Sequence, residues 1–446
     1  MKKNKICVIS AVVSAIMLAS SASTFAKFDA YNDPDGFTLG HYEAEVNQEQ
    51  RAETEKLYEQ RPKNERQFEN LSRGLVAVPG ENGTLVSWRF LGTDSNSLAY
   101  NLYCNGEKLN DEPITTTNFF HTGASANAEY TLKEVENGEE TGVEYTTTAW
   151  DKNYIGFKVT EREGYNIDDG AVADLDGDGE YEILLRRVPS MDVNTRTSYP
   201  VIEAYKTDGT HMWTIDIGPN EINEVDINFL AYDMDGDGKA EVIMRSFEGT
   251  TDGKGNTIGD TNGDGITDYS KSESNLAIFK DRQYIVSTPE FLSIYDGETG
   301  EETDRTDLKP SKEPLSDWSY RYSDTGRLTK RASHYLFGLA YLDGVTPSVV
   351  MVRGAWDNVR AAAWHIEDGK FKEDWVHNTE NKDDVNSIWG ACNHNLVTVD
   401  VDFDGKDEIL SGPMAIDHDG SEMYAVKAYD NDGNAQKLAH GDAFDV

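Results

Sequence analysis

Cysteine is scarce in this chain, three in 446 residues, and Cys7 lies in an N-terminal stretch that reads as removable. The remaining Cys104 and Cys392 exclude a fold stapled by disulfides. Past Ala26 no apolar run approaches the roughly 20 residues of a membrane-spanning helix, so no membrane contact is expected once that stretch is cut. Positive charge is also in short supply: 41 Lys and Arg against 81 Asp and Glu leave a formal net charge of -40. Such a surface would repel a phosphate backbone, which excludes a nucleic-acid partner and points to cations.

The chain opens "MKKNKICVISAVVSAIMLASSASTFAKF", with Lys2, Lys3 and Lys5 before an apolar run and small residues up to Ala26. Residues 1–26 read as a secretory signal, with an uncut anchor as the alternative, so the mature protein is expected to be extracellular. Residues 27–70 are polar, and "HYEAEVNQEQRAETEKLYEQRPKNER" has no clear apolar stripe, which predicts a solvated helix or linker. From 71 to 152, strand-like runs alternate with turns such as "ENG", "TDSN" and "CNGEK", which predicts a small fibronectin-like β-sandwich.

Residues 153–446 repeat. "EAYKTDGTHMWTIDIG", "LSIYDGETGEETDR", "AAWHIEDGKFKEDWVHN" and "VKAYDNDGNAQKLAH" each read as strand, turn and strand, with turn glycines Gly209, Gly297, Gly369 and Gly433. Each follows another strand pair, and strands recurring in fours predict the blades of an all-β propeller. About four blades are expected, with "HGDAFDV" as the first strand of a fifth, so the sequence stops inside the repeat.

Acidic loops punctuate this region: "DLDGDGEYE", "DMDGDGKAE", "DTNGDGITD" and "DVDFDGKDE". Their candidate ligands are Asp174, Asp176, Asp178 and Glu182 with the Glu180 carbonyl; Asp233, Asp235, Asp237 and Glu241 with the Lys239 carbonyl; Asp260, Asn262, Asp264 and Asp268; and Asp400, Asp402, Asp404 and Glu408. Alternate oxygens on a glycine-bent loop can wrap one Ca²⁺ at about 2.3 to 2.6 Å. An EF-hand is excluded by Leu185 at the twelfth place of the first loop and by the strands that follow. Turns rich in Asp and Gly for conformational reasons alone are the competing reading, and the third loop also resembles half a dockerin repeat.

The order of "RGLVAV", "VADLDGDGEYEILL", "EAYKTDGTHMWTIDIG", "YDMDGDGKAEVIMRSFEGTTDGKGNTIGD", "AYLDGVTPSVVMVRG", "NHNLVTVDVDFDGKDEI", "MAIDHDG" and "HGDAF" resembles the rhamnogalacturonan lyases of polysaccharide lyase family 11 over residues 72–445. The resemblance implies a calcium-binding, eight-bladed propeller, only partly present in this chain. It also implies a secreted enzyme that cuts the rhamnogalacturonan I backbone of pectin by β-elimination at galacturonate. Family members continue for several blades beyond the point equivalent to Val446.

That chemistry needs the uronate carboxylate neutralised, a base for the C5 proton and a proton for the leaving oxygen. The candidate catalytic residues are His394, Arg353 and Asp169. Substrate contacts are expected from Asp168, Arg187, Asn393, Asn395, Arg360, His440 and Asp442, with Arg186 beside them. A histidine bonded to backbone at a blade rim, and an arginine paired with a structural carboxylate, remain open for His394 and Arg353. The chain departs from the family pattern at Val225–Asn228, at Ala355–Asn358 and across "YSDTGRLTKRASH". These departures leave two other readings: a propeller that binds acidic polysaccharide through calcium without cutting it, and an adhesion propeller with integrin-like calcium repeats.

Overall fold

The computed structural model describes residues 48–437, apart from 125–126, 191–197, 222–227, 281, 320–322, 355–357, 380–383, 385–386, 393 and 430–434. The expected signal at 1–26, the departures at 225–227 and 355–357, and candidate residues Asn393, His440 and Asp442 lie outside the described residues. Residues 1–62 and 63–446 form separate compact units. The first contains the helix Gln48–Gln60, in which Ala52, Leu57 and Tyr58 are the only apolar side chains, too few for a buried stripe. No described helix is long and apolar enough to cross a membrane.

The second unit begins with two antiparallel sheets. One orders Val76–Gly80, Gly83–Ser87 and Asn118–Thr122; the other orders Glu107–Lys108, Ala99–Cys104, Glu129–Glu136 and Glu139–Thr148. Alternation sends Tyr130 and Leu132 inward to meet Val86, Trp88, Tyr100 and Leu102. Asn137 and Gly138, both at positive φ, supply the two-residue hairpin turn that right-twisted strands require.

Four further sheets follow, each with its strands in chain order. The first runs Tyr165–Ala173, Glu182–Pro189, Val201–Tyr205 and His211–Asp216; the second runs Phe229–Tyr232, Glu241–Phe247, Glu290–Tyr295 and Glu302–Asp307. The third runs Tyr335–Ala340, Ser348–Arg353, Arg360–Glu367 and Lys370–Asn378; the fourth runs Val397–Val399, Glu408–Ser411, Met414–Ile416 and Glu422–Ala425. All four carry a register shift at the same place between third and fourth strands: Ala204/Tyr205, Ile294/Tyr295, Ala363/Trp364 and Ala415/Ile416. Apolar clusters bind first sheet to second, second to third and third to fourth, through groups such as Leu184 with Val242, Ile294 with Val349, and Val350 with Ile409.

One expectation fails here. The hairpin around Gly433 does not complete the fourth sheet, because "MAIDHDGSEMYA" supplies its last two strands, with Gly420 at φ 86° in the turn. Lys427–Tyr429 and Ala435–Lys437 form a separate pair beyond it.

The loops segregate to two ends. Connections from first to second strand, which hold the acidic loops at 174–181, 233–240 and 400–407, share an end with the turns between third and fourth strands. Connections from second to third strand lie at the other end, including the long insertion 248–289.

Residues 64–72 are more than a linker, for they cross the acidic-loop end and touch a loop of each of these four sheets. Asn64 Nδ2 donates to the Gly405 carbonyl at 2.8 Å, and Arg66 forks onto Asp407 at 2.8 and 3.3 Å. Gln67 N donates to Val345 O at 2.9 Å and its side chain to Asp233 O at 3.3 Å, while Ser72 N reaches Gly179 O at 2.9 Å. Burial, with the charges of Asp233 and Asp174, pushes the Glu69 carboxyl up to about 7.

Candidate metal centres and candidate active-site cleft

Three acidic loops fold alike because the same letters fall at the same offsets. The first Asp of each loop accepts from glycine N–H groups: Asp174 from Gly177 at 2.8 Å and Gly179 at 2.7 Å, Asp233 from Gly236 at 2.7 Å and Gly238 at 3.0 Å, and Asp400 from Gly405 at 3.1 Å. The ninth-place glutamate turns back to the second residue's N–H, at 2.8 Å for Glu182 with Leu175, 2.9 Å for Glu241 with Met234 and 2.7 Å for Glu408 with Val401. Oxygens of Asp174, Asp176 and Asp178, of Asp233, Asp235 and Glu241, and of Asp400, Asp402 and Asp404 thereby come within 4.8 Å of one another.

Such gathering is unfavourable without a cation. Burial and the neighbouring aspartates push Glu241 up to about 8 and Glu408 up to about 7, and raise Asp174, Asp233 and Asp400. Asp176 Oδ1, Asp400 Oδ1 and Glu408 Oε1 are buried with no hydrogen-bond partner. Orphaned carboxylate oxygens in an all-oxygen set fit Ca²⁺.

The third loop does not belong to this series. It lies in the 248–289 insertion, at the opposite end of the sheets. Gly263 and Gly265 still donate to Asp260 at 2.7 and 2.9 Å, and Asn262 and Asp264 bond each other and Tyr269. Asp268, one methylene shorter than glutamate, instead caps the following 3₁₀ turn through Ser270 N at 3.1 Å and pairs with Lys271 at 2.9 Å. The repeat in the letters is therefore not a repeat in the sheets.

Of the residues expected at the substrate, the described ones collect at the end away from the three loops, but their environments divide them. Arg353 is 0% exposed, donating to Pro310 O at 2.8 Å and Glu290 Oε2 at 2.7 Å. A guanidinium with no exposed surface cannot meet a polymer, so Arg353 is corrected to a structural ion pair. Arg187 is corrected likewise: it is buried against Glu203 at 2.9 Å and Thr160 O at 2.7 Å. Asp168 and Asp169 are exposed at a bulge in the first sheet, with Arg186 paired to Asp168 and 3.7 Å from Asp169. His394 is exposed and stands edge-on to His334, ring centroids 5.6 Å apart. Asn395 gives its carbonyl to Ser411 Oγ at 2.8 Å, while its Oδ1 is buried without a partner.

Arg360 sits at the wall of a cleft of about 790 Å³, bonded to Asp317 and to Ser311 O at 2.6 Å. Lys309, Asn358, Asn378 and Trp389 also line it. A second cleft of about 540 Å³ shares Lys309, Ser311 and Glu313 with the first and continues to Tyr269 and Asp264. Glu290 lines this second cleft with its side chain 7% exposed and its carboxyl held down to about 2: burial opposes its charge, but Arg353, Lys312 and Arg245 outweigh that. Sequence reasoning gave no role to Glu290, His334 or His418, because only the fold gives them neighbours.

Comparison with known proteins agrees with these features. Residues 156–444 match the model of the rhamnogalacturonan lyase family 11 C-terminal domain, and residues 66–150 match that of the rhamnogalacturonan I lyase β-sheet domain. The chain is 38% identical over 393 residues to the rhamnogalacturonan endolyase YesW of Bacillus subtilis, covering 85% of this chain and 58% of that one. It is 38% identical over 398 residues to the rhamnogalacturonan exolyase YesX of the same organism, covering 85% and 60%. The crystal structure of YesX superposes with a TM-score of 0.71 at 38% identity, over 85% of this chain and 61% of that one.

Proposed function

The chain belongs to rhamnogalacturonan lyase family 11, and on that premise we propose that it acts as a secreted pectin lyase, cutting the rhamnogalacturonan I backbone by β-elimination at galacturonate. The four sheets are read as successive blades of a calcium-binding propeller. The observation that carries the reading is 38% identity spread over 85% of this chain. Because the chain spans 58% of YesW and 60% of YesX, their whole-length activities come to it as part of this proposal.

Asp174, Asp176, Asp178, Asp233, Asp235, Glu241, Asp400, Asp402 and Asp404 would hold calcium. When bound, calcium supplies the positive charge that lets these carboxylates remain ionised and ties first to second strand. The connected clefts accept an extended, polar chain, and Arg360, Lys309, Asn358 and Asn378 offer it hydrogen bonds. Among the described residues at this end, the His334–His394 pair and the exposed Asp168 and Asp169 beside Arg186 are placed to move protons. In this reading His394 takes the C5 proton, an imidazole's usual work in general base catalysis, while Arg186 draws Asp168 and Asp169 into place for the sugar hydroxyls.

The test is incubation of the protein with rhamnogalacturonan I and calcium, following ultraviolet absorbance of the unsaturated uronate. Rising absorbance supports the lyase. Retardation in a gel containing the polysaccharide, with no absorbance, selects the non-catalytic binding propeller.

A further inference from the structure

The chain as a whole is acidic, with 41 Lys and Arg against 81 Asp and Glu, yet two neighbouring elements at the cleft end reverse the balance. Residues 276–285 form a hairpin of Leu276–Phe279 and Arg282–Ile285, and Thr325–Ser333 form a helix. Together they hold Lys280, Arg282, Arg327, Lys330 and Arg331 against a single acidic residue, Asp281. The helix falls in "YSDTGRLTKRASH", where the chain departs from the family pattern.

The two elements are locked together. A Cβ on Gly326 would stand 2.0 Å from the Ile278 carbonyl oxygen, so the helix lies backbone to backbone on the hairpin. Leu328 and Ala332 pack into the cluster around Trp318, and Asp324 caps the first turn by accepting from Arg327 N at 2.9 Å. Ala277 and Tyr284 take the buried face of the hairpin. Ile278, on the other face, is 66% exposed, more than any other large apolar side chain among the described residues. Arg327 and Lys280 both stand over the Phe279 ring, at 5.2 and 5.5 Å, and Arg282 is paired with Phe279 in the strand register. Cations gathered so closely repel one another, and Asp324, 3.5 Å from Arg327, offsets only part of that.

The hairpin runs on into Ser287, Thr288 and Pro289, which line the second cleft, and the helix ends beside His334, which stands against His394. Asp260, Asp264 and Asp268, at the same end, are engaged by glycine N–H groups, by Tyr269 and by Lys271. The acidic loop at 233–240 lies at the far end of Glu241–Phe247, seven residues or about 23 Å away. Charge is screened over about 8 Å at physiological salt. A polymer arriving at the cleft therefore meets the local positive surface and not the distant carboxylates.

We propose that this hairpin and helix form a docking surface, outside the cleft, for a polysaccharide that carries uronate carboxylates. The carboxylates pair with Lys280, Arg282, Arg327 and Lys330, and the methyl groups of deoxy sugars between them rest on Ile278. An anion entering among the cations relieves their repulsion, and the polymer covers apolar surface that is otherwise left to water. The surface holds a length of polymer while the cleft holds the sugars that react, so it acts on capture of the chain and not on the chemistry. The inference rests on the lyase reading for the identity of the polymer.

The test compares the native protein with Lys280→Gln/Arg282→Gln/Lys330→Gln and with the charge-keeping Lys280→Arg/Lys330→Arg, by retardation in calcium-containing gels loaded with rhamnogalacturonan I or neutral dextran. Rhamnogalacturonan I alone should retard the native and charge-keeping proteins. The triple variant should need about tenfold more polymer for the same retardation, and the difference should close at about 0.5 M salt. Where the native protein releases unsaturated uronate, the polymer concentration for half-maximal rate should rise by the same factor. A triple variant retarded like the native chain overturns the proposal, and so does equal retardation by dextran. Product release with no change in the triple variant overturns the docking surface and leaves the lyase reading standing. Weakened retardation of the triple variant, in a protein that releases no product, does the reverse.

Discussion

The indole N–H of Trp213 donates to the carbonyl oxygen of Gly297 at 2.7 Å, joining the outer strand of the first sheet to a turn of the second. Trp375 repeats the bond on His418, from third sheet to fourth. Between second and third sheets the equivalent position holds Asp304, which accepts from Phe371 N and Lys370 Nζ, each at 3.0 Å. The partner's shape is also fixed, since a Cβ on Gly297 would stand 2.0 Å from the Ala240 carbonyl oxygen.

Trp213→Phe keeps most of the apolar bulk and removes the donor, leaving a buried carbonyl unpaired. It should cost about 1 to 3 kcal/mol, read as a lower urea midpoint. An unchanged midpoint would mean the bond adds nothing to the joint between the sheets.

In the fourth loop Phe403 stands at φ 66°, where its counterparts Gly177 and Gly236 stand at 80° and 79°. A side chain there is strained by about 1 to 2 kcal/mol. Phe403→Gly should therefore raise the thermal midpoint, and a fall would show that packing of the ring outweighs the strain.

Glu290 offers a test against pH. Its folded value of about 2 lies below the ordinary 4.5, so the unfolded chain takes up a proton first as acid is added. The stability it contributes is complete above pH 4.5 and is lost as pH falls towards 2, a difference on the order of 3 kcal/mol. Glu290→Gln should flatten that acid limb of the stability curve and lower stability at neutral pH, because three cations lose their carboxylate. An unchanged acid limb in the variant would remove Glu290 as its cause.

Site and scaffold should separate under mutation. Asp169, 62% exposed in its side chain, can be changed to Asn within about 0.5 kcal/mol of native stability, while release of unsaturated uronate drops. Arg353→Met should act first on stability, since it leaves Glu290 short of its nearest cation. Equal loss of product at full stability from Arg353→Met would return that residue to the substrate.

The sequence exposes those parts of the molecule in which a residue's role depends on its near neighbours. The loops at 174, 233 and 400 were legible because Asp, Gly and Glu must recur at fixed offsets to close the same turn. The copy at 260 misleads for the same reason: its letters nearly match, and only Asn262 for an aspartate and Asp268 for a glutamate hint at a difference. Arg353 and Arg187 could not be sorted from Arg360 by sequence, because burial depends on Glu290 and Glu203, which are remote or unmarked. His418 was quoted within "MAIDHDG" yet carried no signal, since its partners Asp404 and Glu408 reach it only across a sheet.

Asn64 and Gly405 meet across 341 residues, as do Arg66 and Asp407. The segment that reaches across all four sheets is synthesised before any of them, and its last partners arrive only when the fourth acidic loop is made. Its contacts with the fourth loop close a very long stretch of chain and can form only late, a closure that is slow for a chain to find. Docking of residues 64–72 thus reports that all four sheets are in place, and protease access at Lys63 and Arg66 would time the end of folding.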